Sequence, residues 1–324
     1  MSAVTPIDIP MSDSTSRQLA RGEARVEAAT KRTKRRLTSR TATIAALVIA
    51  ILWTTPTFGL FLSSFRPAAE VATTGWWTIF SNWGFTFDNY LQVLEAGNTQ
   101  LTMGQAFLNS IAITLPATVI PLVIASLAAY AFAWIDFKGK DWMFIGIFAL
   151  QIVPLQMALV PLLSLFSRGV NIGGVELFSG LNAGTSYSQV WIAHTIFALP
   201  LAIFLLHNFV SEIPRELIEA ARVDGASHGQ IFFRIILPLT MPAIASFGIF
   251  QFLWVWNDLL VALVFADGTV APITKLLAEV TGKYGQDWHL LTAGAFISIV
   301  VPLIVFFSLQ RYFVRGLLAG STKG

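Results

Sequence analysis

The sequence predicts an all-α integral membrane protein with six transmembrane helices, and three observations carry that reading. Of the 324 residues, 55% are hydrophobic and 12% charged, with a mean hydropathy of +0.68, more apolar than a soluble surface tolerates. Six apolar stretches, at roughly 43–63, 106–134, 142–167, 189–210, 238–265 and 290–313, each reach the ~20 residues a helix needs to cross the hydrocarbon core. The 21 Lys and Arg residues are unevenly placed: four, Arg66, Arg168, Lys275 and Lys283, fall in the first, third and fifth loops, and the remainder in the termini and the second and fourth loops. Positive charge near span ends stays on the cytoplasmic side, so both termini and the fourth loop are expected there. The formal charge of +3 then reflects topology and gives no reason to invoke nucleic acid.

Taken in order, residues 1–42 are Ser/Thr-rich and end in the basic run Lys31-Arg32-Thr33-Lys34-Arg35-Arg36, which suits a cytoplasmic tail touching anionic lipid. The stretch 43–63 is longer than a secretory apolar core and no small-residue cleavage site follows it, so it reads as an anchor. The first external loop, 64–105, carries Trp76, Trp77, Trp83 and Phe85, aromatics suited to an interfacial belt. External segments near 168–188 and 266–289 are rich in Gly, Ser and Thr and read as loops. Prolines 116, 121, 154, 161, 200, 242 and 302 fall within spans, each removing a backbone hydrogen bond and predicting a kink. That pattern favours a moving protein over a rigid anchor.

The fourth loop, 211–237, has the sharpest local logic. Pro214 suits a first helical turn, and Glu212 and Glu216 suit the positive end of a helix dipole. Leu217, Ala220 and Ala221 supply a narrow apolar face, with Glu219 and Arg222 at its polar edge, and Asp224-Gly225 supplies the stop. Ser227 then caps a second segment, 229–236, before Leu237-Pro238. The expectation is a short helix at 214–224 lying across the cytoplasmic mouth, either docking on a partner or acting as a plain amphipathic connector.

Chemistry is scarce. There is no cysteine, hence no disulfide or thiolate metal site. Gly139-Lys140 and Gly282-Lys283 are followed by Asp141 and Tyr284, so neither is a phosphate-binding P-loop. The histidines are too dispersed for a zincin helix, and no Gly-x-Ser-x-Gly elbow occurs. No enzyme active site is expected. Among intramembrane polar groups, Gln251, Trp254 and Asp258 are spaced i, i+3, i+7 on one helical face, as a hydrated sugar path requires, since rings stack on sugar faces and amides and carboxylates bond hydroxyls. Asn257, beside Asp258, is a further candidate for that path; the alternative is an Asn257–Asp258 pair making capping contacts at the outer interface. Gln151 and Gln156, in the third span, either line a path or tie helices together.

These residues resemble a known family. Glu219-Ala220-Ala221, Asp224-Gly225-Ala226, Phe232 or Phe233, Ile236-Leu237-Pro238 and Pro242 look like the EAA-loop signature of permease subunits of binding-protein-dependent ABC importers. Asn109-Ser110, Ala128-Ala129-Tyr130-Ala131-Phe132, Trp256-Asn257-Asp258-Leu259 and Gln310-Arg311-Tyr312-Phe313-Val314-Arg315-Gly316 fit the carbohydrate branch, and the resemblance covers roughly 43–324. The run Gly285-Gln286-Asp287-Trp288-His289-Leu290-Leu291-Thr292-Ala293-Gly294 is similar to permeases for α-glucosides such as maltose, trehalose or sucrose.

The resemblance implies a type I importer (MetI-like) fold, with a core permease domain at 106–315 and a cytoplasmic C-terminal tail at 316–324. Its coupling residues would be Glu219, Ala220, Ala221, Arg222, Asp224 and Gly225. It further implies a multi-pass protein of a prokaryotic plasma membrane whose partners are a second permease, two ABC ATPase subunits and an external sugar-binding protein or lipoprotein. No cofactor is expected in this chain, because ATP and Mg would be bound by the ATPase. The N-terminal tail is long for the family. A competing class, an ion-coupled secondary transporter, calls for carboxylates or broken polar segments at mid-membrane, to which Asp258 is the nearest approach.

Overall fold

The computed structural model describes residues 40–181, 186–283 and 287–319, the side chains of 280–283 and 310–319 excepted. The basic run at 31–36, Gly285-Gln286 and Lys323 lie outside the described residues, as do the side chains of the Gln310–Gly316 run. The chain divides into two units, one ending at Leu60 and the other beginning at Phe61. The first contains most of helix α1 (Arg40–Ser64), whose apolar side chains, Leu52 and Trp53 among them, are exposed.

The second unit begins with a segment more structured than the loop expected at 64–105. It holds α2 (Ala68–Thr73), a 3-10 turn at Trp76–Phe80 and α3 (Asp88–Glu95). The buried Arg66 organises it by donating to Thr78 Oγ1 at 2.9 Å and to Thr74 Oγ1, while Asn89 Nδ2 donates to the carbonyls of Ser64 (2.9 Å) and Arg66 (2.8 Å).

The long helix α4 (Met103–Trp134) opens on a capping box between Thr102 and Gln105. It packs along α7 (Ser188–Ser211) through small residues: Ala125 and Ala129 cluster with Ala202 towards one end, and Ala117 with Ala193 towards the other. Small side chains let backbones approach closely where lipid offers no hydrophobic drive for association. Two indoles fix the register, Trp191 Nε1 donating to the Ala112 carbonyl (3.0 Å) and Trp134 Nε1 to that of Val210 (3.2 Å).

The third apolar stretch is not one straight span. It consists of α5 (Lys140–Ala149) with a 3-10 turn at Leu150–Ile152, then α6 (Leu155–Arg168), the two halves meeting at 105°. Pro154 has no amide to continue the ladder, and Val153 before it is extended (ψ 119°), as the proline ring demands of its predecessor. Beyond α6 the expected loop holds a hairpin, β1 (Val170–Ile172) with β2 (Val175–Phe178). Its turn residues Gly173 and Gly174 both have positive φ, the requirement of a two-residue primed turn.

After the short α8 (Arg215–Val223), the fifth span α9 runs from His228 to Trp256. It begins before 238 and stops well before 265. The separate segment expected at 229–236 is its first part, capped reciprocally by Ser227 and Gln230. A π-helical stretch at Phe232–Ile236 precedes Pro238 and absorbs the helical bond its ring removes. The end at Trp256 has a clear cause: the Asp258 carboxylate accepts from the amides of Val261 (3.4 Å) and Ala262 (3.0 Å) and starts α10 (Leu260–Phe265). The expected loop at 266–289 contains α11 (Ile273–Lys283), with Ile273 and Leu276 buried, before α12 (Trp288–Ala319).

Candidate functional site

Helix α8 is fastened on one side and open on the other. Ile218 is 1% exposed and sits in a cluster with Tyr130, Phe132, Val210, Ile231 and Phe232, with Ile213, Ala221 and Ala226 half-buried around it. Arg222 donates from a terminal guanidinium nitrogen to the Trp134 carbonyl at 3.2 Å, tying α8 to the end of α4. The hydroxyl of Tyr130 meets His228 Nδ1 at 2.8 Å and ties the start of α9 to α4 as well.

The far side of α8 exposes Glu216, Leu217, Ala220 and Val223, Val223 at 87%, while Glu219, though exposed, lies with Arg222 beside a cavity on the side facing the spans. The apolar face expected from Leu217, Ala220 and Ala221 is therefore corrected. Ala221 turns inward beside Ile218, and the outward face runs through Leu217, Ala220 and Val223. Arg222 likewise reaches back to the spans.

The helix ends in a Schellman arrangement. Gly225 has φ +80°, its amide donates to the Arg222 carbonyl (3.0 Å), and the Ala226 amide donates to that of Ala221 (2.9 Å). No atom lies within 4 Å of where a Gly225 Cβ would stand, so conformation, not space, selects glycine here. Pro214 occupies the cap position just before the first turn rather than the turn itself.

The second candidate region centres on the break between α5 and α6. Gln151, Phe197 and Trp254 border two adjoining cavities of about 410 and 470 Å³, the first reaching the broken backbone at Ile152–Pro154 and the second reaching Gln251 and Phe250. The break leaves the last carbonyls of one half and the first amides of the other without intrahelical partners. Such backbone is tolerated at membrane depth only against protein or in a wet cavity.

Of the six expected path residues, the structure brings Gln151, Gln251 and Trp254 together. Gln251 is 3% exposed and donates from Nε2 to the Ala117 carbonyl at 3.1 Å, tying α9 to α4. Gln156 lies beyond the break and borders neither cavity. Asn257 Nδ2 turns back to the Leu253 carbonyl (2.7 Å), and Asp258 lies past the helix end as the cap of α10. The shared face proposed for Gln251, Trp254 and Asp258 assumed a helix through 258, and that helix stops at Trp256.

Sequence reasoning missed His194, buried in α7. Its Nε2 lies 3.8 Å from Asp258 Oδ2, and its ring meets Trp254 edge-on with centroids 5.7 Å apart. A histidine within an apolar span was the available signal. Among the described residues no group of three or more His, Asp or Glu is placed to hold a metal ion.

Known proteins place this architecture. Residues 121–318 match the family model described as "Binding-protein-dependent transport system inner membrane component". The chain is 54% identical over 288 residues to the "Osmoprotective compounds uptake permease protein GgtD" of Synechocystis sp., covering 86% of this chain and 91% of that one. It is 54% identical over 242 residues to the "Alpha-glucoside transport system permease protein AglG" of Rhizobium meliloti, covering 74% of this chain and 61% of the longer relative. A solved bacterial alginate ABC transporter, in complex with a periplasmic protein, contains a chain with TM-score 0.62 at 15% identity, covering 86% of this chain and 95% of that one; at that identity the likeness shows the fold. On the family match and these two relatives, the chain belongs to the binding-protein-dependent transport system inner membrane components, the permeases of ABC importers.

Proposed function

We propose that this chain is one half of the translocation pore of an ATP-driven sugar importer and carries an α-glucoside or related oligosaccharide delivered by an external binding protein. The names of the relatives support the sugar class: AglG is an alpha-glucoside permease, and a 37% identical relative from Mycobacterium tuberculosis is the "Trehalose transport system permease protein SugB". The placement of Lys and Arg supports both termini and α8 being cytoplasmic. An ion-coupled secondary transporter finds no support in the family match.

The observation that carries the coupling part is the two-sidedness of α8. One side is locked to α4 and α9 through Ile218, Arg222 and the turn at Gly225, and the other presents Leu217, Ala220 and Val223. A short rigid helix held this way transmits motion from whatever grips its open face. The partner is an ABC ATPase, which holds the ATP and Mg that this chain has no loop to bind. A second permease completes the pore. Closure of the ATPase pair drives the spans between inward- and outward-open states. The sugar passes the amides of Gln151 and Gln251 and the half-exposed ring of Trp254.

The chain's lack of cysteine makes the test direct. In the complete importer, Ala220→Cys should cross-link to a cysteine in the groove of the ATPase, with a yield that changes on ATP binding, and ATP-driven uptake of labelled maltose, trehalose or sucrose should survive a proton uncoupler. Absence of any cross-link from Leu217, Ala220 or Val223 refutes the docking role. Uptake abolished by the uncoupler with ATP present refutes the ATP-driven one.

A further inference from the structure

On the side of α8 that faces the spans lies a cavity of about 310 Å³ whose polar wall is formed by Asp136, Lys140, His207, Arg215, Glu219 and Arg222. Its charges are unbalanced in an informative way. Asp136 is fully exposed at the rim and pairs with Lys140 at 2.8 Å. That hydrogen bond first, and then the charges of Lys140, Arg215 and Arg222, hold its carboxyl below the usual carboxylate range. The wall thus holds three cations against two carboxylates, Asp136 and Glu219. Among the described residues Arg215 has no carboxylate within ion-pair distance, and Glu219, the other acid on the wall, has no cation within it.

The cations also continue into apolar surface. Lys140 opens α5, and Trp142, Met143 and Ile145 immediately after it are exposed, Trp142 at 80%. Phe144 of the same turn packs on His207 with ring centroids 4.4 Å apart, so the start of α5 forms one flank of the cavity.

We propose that this cavity binds the phosphate of an anionic phospholipid from the cytoplasmic leaflet, and that the bound lipid pins α8 against the spans. Lys140, Arg215 and Arg222 take the headgroup oxygens, the guanidinium forks matching phosphate geometry. The exposed side chains at the start of α5 receive an acyl chain, with Trp142 at the interface where indoles settle. A soluble phosphate would use the same cations but has no use for the apolar flank, and basic pockets between helices on the cytoplasmic side are suited to anionic headgroups. The proposal rests on α8 being the cytoplasmic coupling helix, and it adds a lipid requirement to coupling.

The test uses the complete importer, purified through a tag on this chain and reconstituted in nanodiscs of phosphatidylcholine with or without phosphatidylglycerol. Native mass spectrometry should find phosphatidylglycerol retained in preference to phosphatidylcholine, and ATP hydrolysis stimulated by the binding protein should rise severalfold when it is present. In Lys140→Gln/Arg215→Gln, retention should fall about fivefold for each charge removed and the stimulation should vanish, while Lys140→Arg/Arg215→Lys, assembled to the same extent by gel filtration, should retain both.

Equal retention and equal stimulation in the Gln variant would overturn the proposal. So would stimulation of the phosphatidylcholine nanodiscs by inorganic phosphate alone, which would assign the cavity to a soluble anion. Loss of the Ala220→Cys cross-link with lipid retention intact would instead remove the coupling reading and leave the lipid site standing.

Discussion

Gly225 shows how a single dihedral angle decides a residue. Its positive φ with open space around the missing Cβ means that Gly225→Val strains the backbone without a clash, at a cost of about 1–2 kcal/mol. Asn visits the left-handed region more readily, so Gly225→Asn should recover much of the uptake lost in Val, measured as labelled-sugar accumulation at equal complex abundance. Asp258 allows an equally sharp separation. As a helix cap, Asp258→Asn should be mild because the side-chain oxygen still accepts, and Asp258→Ala should destabilise by about 1 kcal/mol, read as a lower thermal midpoint. A path carboxylate would instead lose transport in both variants. The Asp-Gly stop was legible in the sequence because few residues adopt that conformation. The inward turn of Ala221 was not, since alanine is as compatible with a buried face as with an exposed one, and the anchor Ile218 is one of many isoleucines.

Among elements, the break at Pro154 is the least predictable and the most consequential. Every residue from 142 to 167 suits a membrane helix well enough that averaging over a window erases the interruption, and a proline by itself announces a kink as readily as a 105° turn. In the structure the broken backbone at Ile152–Pro154 lines a cavity together with Gln151 and Trp254. Pro154→Leu restores the missing amide, so the halves should straighten and close the cavity. Sugar uptake should then fall about tenfold or more while the complex still assembles on gel filtration; unchanged uptake would remove the break from the path. Helix α11 escaped notice for the opposite reason, its Thr and Gly content masking the period set by Ile273 and Leu276. The resemblance motifs proved to be fasteners in part. Asn109 Nδ2 donates to the carbonyls of Thr269 (2.9 Å) and Ala271 (3.0 Å), Ser110 Oγ accepts from the Ile273 amide (2.9 Å), and Trp256 Nε1 donates to the Ser298 carbonyl (2.9 Å).

At the scale of the molecule, the class and the membrane setting were legible because hydrocarbon thickness leaves so few solutions. Among the described residues five helices are long and apolar enough to span, six if the bent pair at Pro154 is one span. What partners contribute was not legible, because on the proposed function the chain is a half-pore, and surface of that kind has its complement on another chain. Ile152 is 82% exposed beside the broken backbone, and Met157 and Val160 are similarly open on α6. We expect the second permease to cover this face. A cysteine at Ile152 should be labelled by a membrane-permeant maleimide in the chain expressed alone and protected, by about tenfold or more, when the partner permease is co-expressed.

Trp134 joins two of the attachments described above. Its indole nitrogen holds Val210 on α7, and its own carbonyl receives Arg222 from α8. Helix α8 is therefore connected to both long helices through one residue, and Trp191 ties the two helices again near their opposite ends. On the proposed coupling role of α8, the pair would tilt together as one lever in response to a stroke at α8. Trp134→Phe keeps the ring but releases the indole bond. The expected result is slippage: more ATP hydrolysed per sugar imported, with the complex intact.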